Sequence, residues 1–166
     1  CQVDLKVAPA VKYIADSGTL PDAEYDFDPS GPDSCNPHDP APADYMRAKS
    51  ARLERNMTWL KELWSAGLTE VIETFQEHLR NYRPLLVVVK VNWDMFKPGS
   101  RPSLKEGELP AGAFDPESGV SHALVIVGYD DTRQMLKILN SAGPDWGDRG
   151  YAYVDYRQFH KALDTR

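Results

Sequence analysis

Two side chains define the chemistry this sequence could perform: a histidine at the mouth of an apolar strand and an asparagine at the end of the next. They stand in Ser121-His122-Ala-Leu-Val-Ile-Val-Gly-Tyr-Asp130 and in Leu139-Asn140-Ser-Ala-Gly-Pro-Asp-Trp-Gly-Asp-Arg-Gly-Tyr151. Adjacent strands can hold such side chains together, as a proton-transfer group and the amide that orients it. Beside a cysteine, an imidazolium stabilises the thiolate and later protonates a leaving amine. An amide oxygen that accepts the other ring N–H holds the ring in one orientation without adding a full charge. Each residue also has a plainer reading, His122 as a structural histidine and Asn140 as a turn residue ahead of Gly143-Pro144. Their separation of eighteen positions across a hairpin favours the chemical reading. His38, His78 and His160 lie in loop or helical contexts without a partner pattern and read as surface residues. No histidine and carboxylate set has metal-ligand spacing, so neither a metal nor another cofactor is expected.

The elements that must position this pair follow from periodicity. Val7, Val11 and Ile14 have helical spacing over residues 7–15, with Pro9 in the first turn and Asp16-Ser-Gly18 as a stop. Residues 19–44 turn to Pro, Asp, Gly and Ser and read as a loop tied down by Tyr25, Phe27 and Cys35. Residues 45–63 suit a helix by propensity, with a strand around 52–60 as the alternative. Thr69 is expected to cap a helix over 70–80, whose Val71, Ile72, Phe75 and Leu79 share one face. Pro84 then opens a β-branched, buried strand over 85–91. Residues 97–120 hold many Gly, Pro and charged residues and read as a long surface insertion. Strands are expected over 123–129, 135–139 and 151–156, with Asp130-Asp-Thr-Arg133 as the hairpin turn and a closing helix over 157–163. Helices first and an antiparallel unit last make the class α+β.

Bulk properties narrow the field. At 166 residues the chain is long enough to bury a sizeable core. Its 19 Lys and Arg against 25 Asp and Glu leave a charge of −6, which argues against a nucleic-acid partner. The longest wholly apolar run, Leu85 to Val89, is far too short to span a bilayer, so no membrane partner is expected. No amino-terminal stretch has the layout of a signal peptide, and a chain opening on cysteine reads as a processed or trimmed product. Cys1 and Cys35 permit one disulfide or two unpaired thiols; a bridge would favour a secreted or periplasmic setting.

Around these residues the sequence resembles the papain-like cysteine peptidases. His122-Ala-Leu-Val-Ile-Val-Gly-Tyr-Asp is similar to the stretch around the family's catalytic histidine. Asn140-Ser-Ala-Gly-Pro-Asp-Trp-Gly-Asp-Arg-Gly-Tyr is similar to its Asn-Ser-Trp-Gly…Trp-Gly…Gly-Tyr segment. Cys1 with Ala10-Val-Lys-Tyr-Ile-Ala-Asp-Ser-Gly18 and Tyr25-Asp-Phe resembles the family's cysteine, helix, glycine and Tyr-Pro-Tyr segment, and Cys35 matches a disulfide cysteine after it. Residues 69–91 resemble the helix and strand before the histidine loop. The match runs loosely along the whole chain and is tight from His122 to Tyr156; its Tyr-Asp-Asp and Trp-Gly-Asp-Arg-Gly-Tyr wording leans towards bacterial members. The resemblance implies a papain-like fold lacking its amino-terminal segment. Residues 1–68 would be the remnant of the helical left-hand part with its connecting loops. Residues 69–166 would be the mainly β right-hand part that carries His122 and Asn140.

Departures from the family pattern matter equally. The family's nucleophile lies roughly 130–150 residues before the histidine, whereas Cys1 precedes His122 by 121 positions. The residues after Cys1 resemble the family's later helix rather than its nucleophile helix, so Cys1 is read as structural and paired with Cys35. No oxyanion glutamine can be assigned. Ala142 stands where the family has a tryptophan that shields the histidine–asparagine hydrogen bond. Trp146 would line the leaving-group side of the cleft or serve as a packing residue, and Ser121 would contact substrate or be a loop residue. Two functions follow. One is a peptidase whose thiolate comes from an upstream segment, with His122 as acid and base, Asn140 orienting it, and a peptide or protein as substrate. The other is an inactive papain-like module with a binding or regulatory role, which Ala142 would suit. A reactive Cys1 in an unusual arrangement is a third option.

Overall fold

The computed structural model describes residues 65–118 and 120–163, together with positions 46, 48, 60 and 63. Residues 1–59 and 60–166 form separate units, and every element below belongs to the second. The expected helix over 7–15, the loop over 19–44, Cys1 and Cys35 lie outside the described residues, as does most of 45–63.

Helix α1 (Leu68–Arg80) buries Val71, Ile72 and Phe75 on one face, as their spacing requires. It starts two residues earlier than expected. Gly67 is its N-cap, no side chain caps it, and Thr69 is its second residue rather than its cap. Strand β1 (Leu85–Lys90) follows. It opens a four-stranded antiparallel sheet with β2 (Ser121–Asp130), β3 (Met135–Leu139) and β4 (Tyr151–Asp155), neighbours in chain order. Helix α3 (Tyr156–Ala162) closes the chain, its N-terminus capped by Asp155, whose carboxylate accepts from the Arg157 and Gln158 amides. Leu163, expected inside that helix, is its C-cap.

Helices α1 and α3 pack on the sheet. Val89, Leu124, Ile126, Leu136, Ile138 and Val154 alternate inward from the strands and meet Val71, Phe75 and Phe159 from the helices. Phe159 joins the layers through edge-on contact with Phe75, ring centroids 6.3 Å apart, and contact with Phe114 at 5.6 Å. Val89 pairs with His122 across β1 and β2, so that histidine is in register with a fully buried strand residue.

The region over 97–120 is more than a surface insertion. Leu109, Ala113 and Phe114 are buried. Phe114 bridges Val91 beyond the end of β1, and Glu108 bridges Tyr153 on β4. The Leu109 amide donates to the Tyr153 carbonyl at 2.9 Å, and the Tyr153 amide to the Gly107 carbonyl at 2.7 Å. The segment thus supplies partners to the outer edge of β4, which would otherwise present unpaired amides and carbonyls. Its Gly and Pro content hid three core residues because they follow no helical or strand period.

A polar clamp ties α1 to the far end of the sheet. Gln76, only 7% exposed, donates through Nε2 to Asp131 at 2.5 Å and to the Tyr156 hydroxyl at 3.3 Å. Its Oε1 accepts from Arg80 Nη2 at 3.1 Å, and the Tyr156 hydroxyl donates to Asp131 at 3.0 Å. Burial pushes the Tyr156 phenol up to about 12; the Gln76 bond opposes the rise and the Asp131 carboxylate adds to it. Folded protein therefore keeps a proton that the unfolded chain loses near pH 10, and stability falls as pH rises from about 10 to about 12. Two outcomes are expected in urea titrations. Gln76→Ala costs about 1–3 kcal/mol at neutral pH by leaving buried partners unmatched. Tyr156→Phe flattens the alkaline decline; an equally steep decline in that variant would show that the phenol is not its source.

Candidate active site

The site is assembled by a helical turn that periodicity cannot reveal. Helix α2 (Trp93–Phe96) has four residues and begins after Asn92, whose side-chain oxygen accepts from the Asp94 amide at 3.2 Å. Its carbonyls face the loop that follows β3. The Phe96 carbonyl accepts from Asn140 Nδ2 at 3.1 Å, and the Met95 carbonyl accepts from the Trp146 indole N–H at 2.7 Å. The loop itself is closed at its base. The Asn140 amide donates to the Gly150 carbonyl at 3.0 Å, and the Gly150 amide to the Trp146 carbonyl at 2.7 Å.

Asn140 is 4% exposed, and its amide can point in one direction only. Nδ2 is used by the Phe96 carbonyl, while Oδ1 accepts from the Ser141 amide at 2.9 Å and lies 2.8 Å from His122 Nε2. An oxygen cannot donate, so Nε2 carries the proton in this bond. The neutral ring is then the Nε2–H tautomer, with its lone pair on Nδ1. Among the described residues no hydrogen bond to Nδ1 is made. His122 is half-buried at the start of β2 and touches two aromatic rings of α2. Trp93 meets it edge-on at 5.4 Å between centroids, and Phe96 at 5.8 Å. What the arrangement can do is hold one ring nitrogen as a donor to a fixed acceptor and offer the other for proton transfer.

The other residues singled out in the sequence fall in different places. Ser121 is exposed and pairs in register with Lys90. Ala142 is partly buried against the core. Trp146 has the surroundings of a packing residue rather than of a cleft wall: it is 1% exposed and lies against Phe96 at 5.6 Å. Its burial is satisfied by the bond to Met95, which is why a polar-tipped ring can sit there. His160, read as a surface residue, is half-buried and donates to the Ala66 carbonyl at 3.1 Å. The described residues include no cysteine, and among them no three His, Cys, Asp or Glu side chains gather as metal ligands would. Trp93 and Phe96 belong to no periodic pattern in the sequence; Asn92-Trp93-Asp94, a capping residue followed by an acidic first turn, is the one local signal for their helix.

Antiparallel sheet, flanking helices and a histidine–asparagine pair at adjoining strand ends define a protein of the papain-like cysteine protease class. The chain belongs to the papain family of cysteine proteases, whose family model matches residues 1–163. Its α+β fold is papain-like, as the resemblance implied. Xylellain, a cysteine protease from Xylella fastidiosa, matches with a TM-score of 0.63 at 20% identity, over 95% of this chain and 58% of its own. Digestive procathepsin L2 proteinase from the Tenebrio molitor larval midgut matches with a TM-score of 0.51 at 21% identity, over 93% of this chain and 44% of its own. Digestive procathepsin L 3 of the same tissue matches at 0.50 and 16% identity, over 92% and 45%. At these identities the likeness is one of fold, and the chain spans about half the length of those proteins. No curated protein matches it.

The turn that carries Asn140 is sterically tight. Gly147 has φ +59°, and a Cβ there would collide with the Tyr151 carbonyl. Gly147→Ala is expected to destabilise by roughly 1–3 kcal/mol, because left-handed backbone and a main-chain clash are imposed together. A denaturation midpoint equal to that of the parent would show that the loop has slack.

Proposed function

We propose that this chain carries the acid–base half of a papain-like cysteine peptidase, with the thiolate supplied by a segment upstream of Cys1. The single observation behind this reading is the bond from His122 Nε2–H to the fixed oxygen of Asn140. That bond leaves Nδ1 for the nucleophile. Proton transfer from a thiol to Nδ1 gives a thiolate–imidazolium pair. The thiolate attacks the scissile carbonyl carbon, the C–N bond breaks, and the Nδ1 proton passes to the leaving amine. Water then attacks the thioester while Nδ1 accepts its proton; the acid product leaves and the thiolate is regenerated. The substrate is a peptide or protein, and the partner within the molecule is the amino-terminal segment bearing the nucleophile and the oxyanion donor. Cys1 and Cys35 serve as a disulfide in this reading, and Ser121 borders the bound substrate.

An inactive papain-like binding module is the second reading, and Ala142 favours it. A thiol-directed peptidase inhibitor applied to the longest natural form separates the two. Labelling at a cysteine upstream of Cys1, with hydrolysis reduced on the order of 10²–10⁴-fold by His122→Ala, is the expected result. No labelling and no turnover would establish the inactive module. Labelling lost in Cys1→Ser but kept in Cys35→Ser would make Cys1 the nucleophile.

A further inference from the structure

The hydrogen bond between His122 and Asn140 holds the ring only while water is kept from competing for Nε2–H and Oδ1. One side of the imidazole is sealed by protein: Phe96, against the ring, is 1% exposed. The other ring touching it, Trp93, is 41% exposed and so stands on the solvent side. Position 142, which follows Asn140 by two residues in the loop, offers only a methyl group.

We propose that Trp93 is a positioning residue that screens the His122–Asn140 hydrogen bond from solvent, supplying from α2 the cover that Ala142 cannot. The geometry is economical: α2 also fixes the Asn140 amide through the Phe96 carbonyl and seats Phe96 against the ring. One four-residue turn thus sets the acceptor, the inner wall and the outer wall of the same bond. Trp93 does not touch reacting atoms in this scheme; it acts through the imidazole. Its consequence for catalysis rests on the function proposed above, but the screening itself does not.

The test is hydrogen exchange of ring N–H groups in protein labelled with ¹⁵N at histidine and tryptophan. The parent chain is expected to show a His122 Nε2–H signal in slow exchange with water, assigned by its loss in His122→Ala. Trp93→Ala should speed that exchange at least tenfold while the Trp146 indole N–H, bonded to Met95, stays protected and reports that α2 is in place. Trp93→Phe should keep most of the protection, and adding Ala142→Trp to Trp93→Ala should restore it. An exchange rate unchanged in Trp93→Ala overturns the proposal, as does a His122 N–H already unprotected in the parent. If the Trp146 signal also loses protection in Trp93→Ala, Trp93→Phe decides: slow exchange supports the screen and fast exchange overturns it. Faster exchange in Trp93→Ala with no turnover in any longer natural form would leave the screen standing and remove the peptidase reading.

Discussion

Everything at the site depends on which way one buried amide points. Asn140 has a nitrogen and an oxygen on the same planar group, and a half-turn would exchange them. The Phe96 carbonyl takes the nitrogen and the Ser141 amide meets the oxygen, so the half-turn would cost two hydrogen bonds in a place from which water is excluded. His122 inherits its tautomer from that choice. The consequence reaches backwards through the fold. Helix α2 has to present a carbonyl at the right point, β3 has to end at Leu139, and the loop over 140–150 has to be closed at its base.

The rest of the molecule keeps these three features in place. Register between β1 and β2 puts His122 opposite Val89, which is fully buried and immobilised by the helices behind the sheet. Trp146 pins α2 to the loop through a second carbonyl one residue before Phe96. The chain between α2 and β2 returns Phe114 to the core and edges β4 with Gly107, Glu108 and Leu109. At the opposite end of the sheet, Gln76, Asp131 and Tyr156 lock α1 and α3 to the β2–β3 turn. The sheet is therefore held at both ends, and the site sits on the end that bears the loop.

Helix α1 is legible in the sequence because its apolar residues recur at helical spacing, and β1 and β2 because they are short, β-branched apolar runs bounded by turn residues. The pairing of His122 with Asn140 is legible because the two residues lie eighteen positions apart at adjoining ends of strands joined by a hairpin turn. Helix α2 is not, since four residues complete barely one turn and show no period. Thr69 has the residue type of a cap, but the helix begins at Leu68, one residue after an extended glycine. Leu109, Ala113 and Phe114 were hidden among Gly and Pro, where tertiary contact rather than local pattern decides burial. Trp146 shows the same limit from the other side: its neighbours in sequence are polar and glycine-rich, yet it is a core residue.

The central claim, an imidazole locked by Asn140 with its proton on Nε2 and its lone pair on Nδ1, is tested most directly by the ¹⁵N chemical shifts of the His122 ring at a pH where it is neutral. The account predicts a pyrrole-type Nε2 and a pyridine-type Nδ1, giving way to tautomer-averaged shifts in Asn140→Ala. Averaged shifts in the parent protein, or a proton on Nδ1, would contradict it.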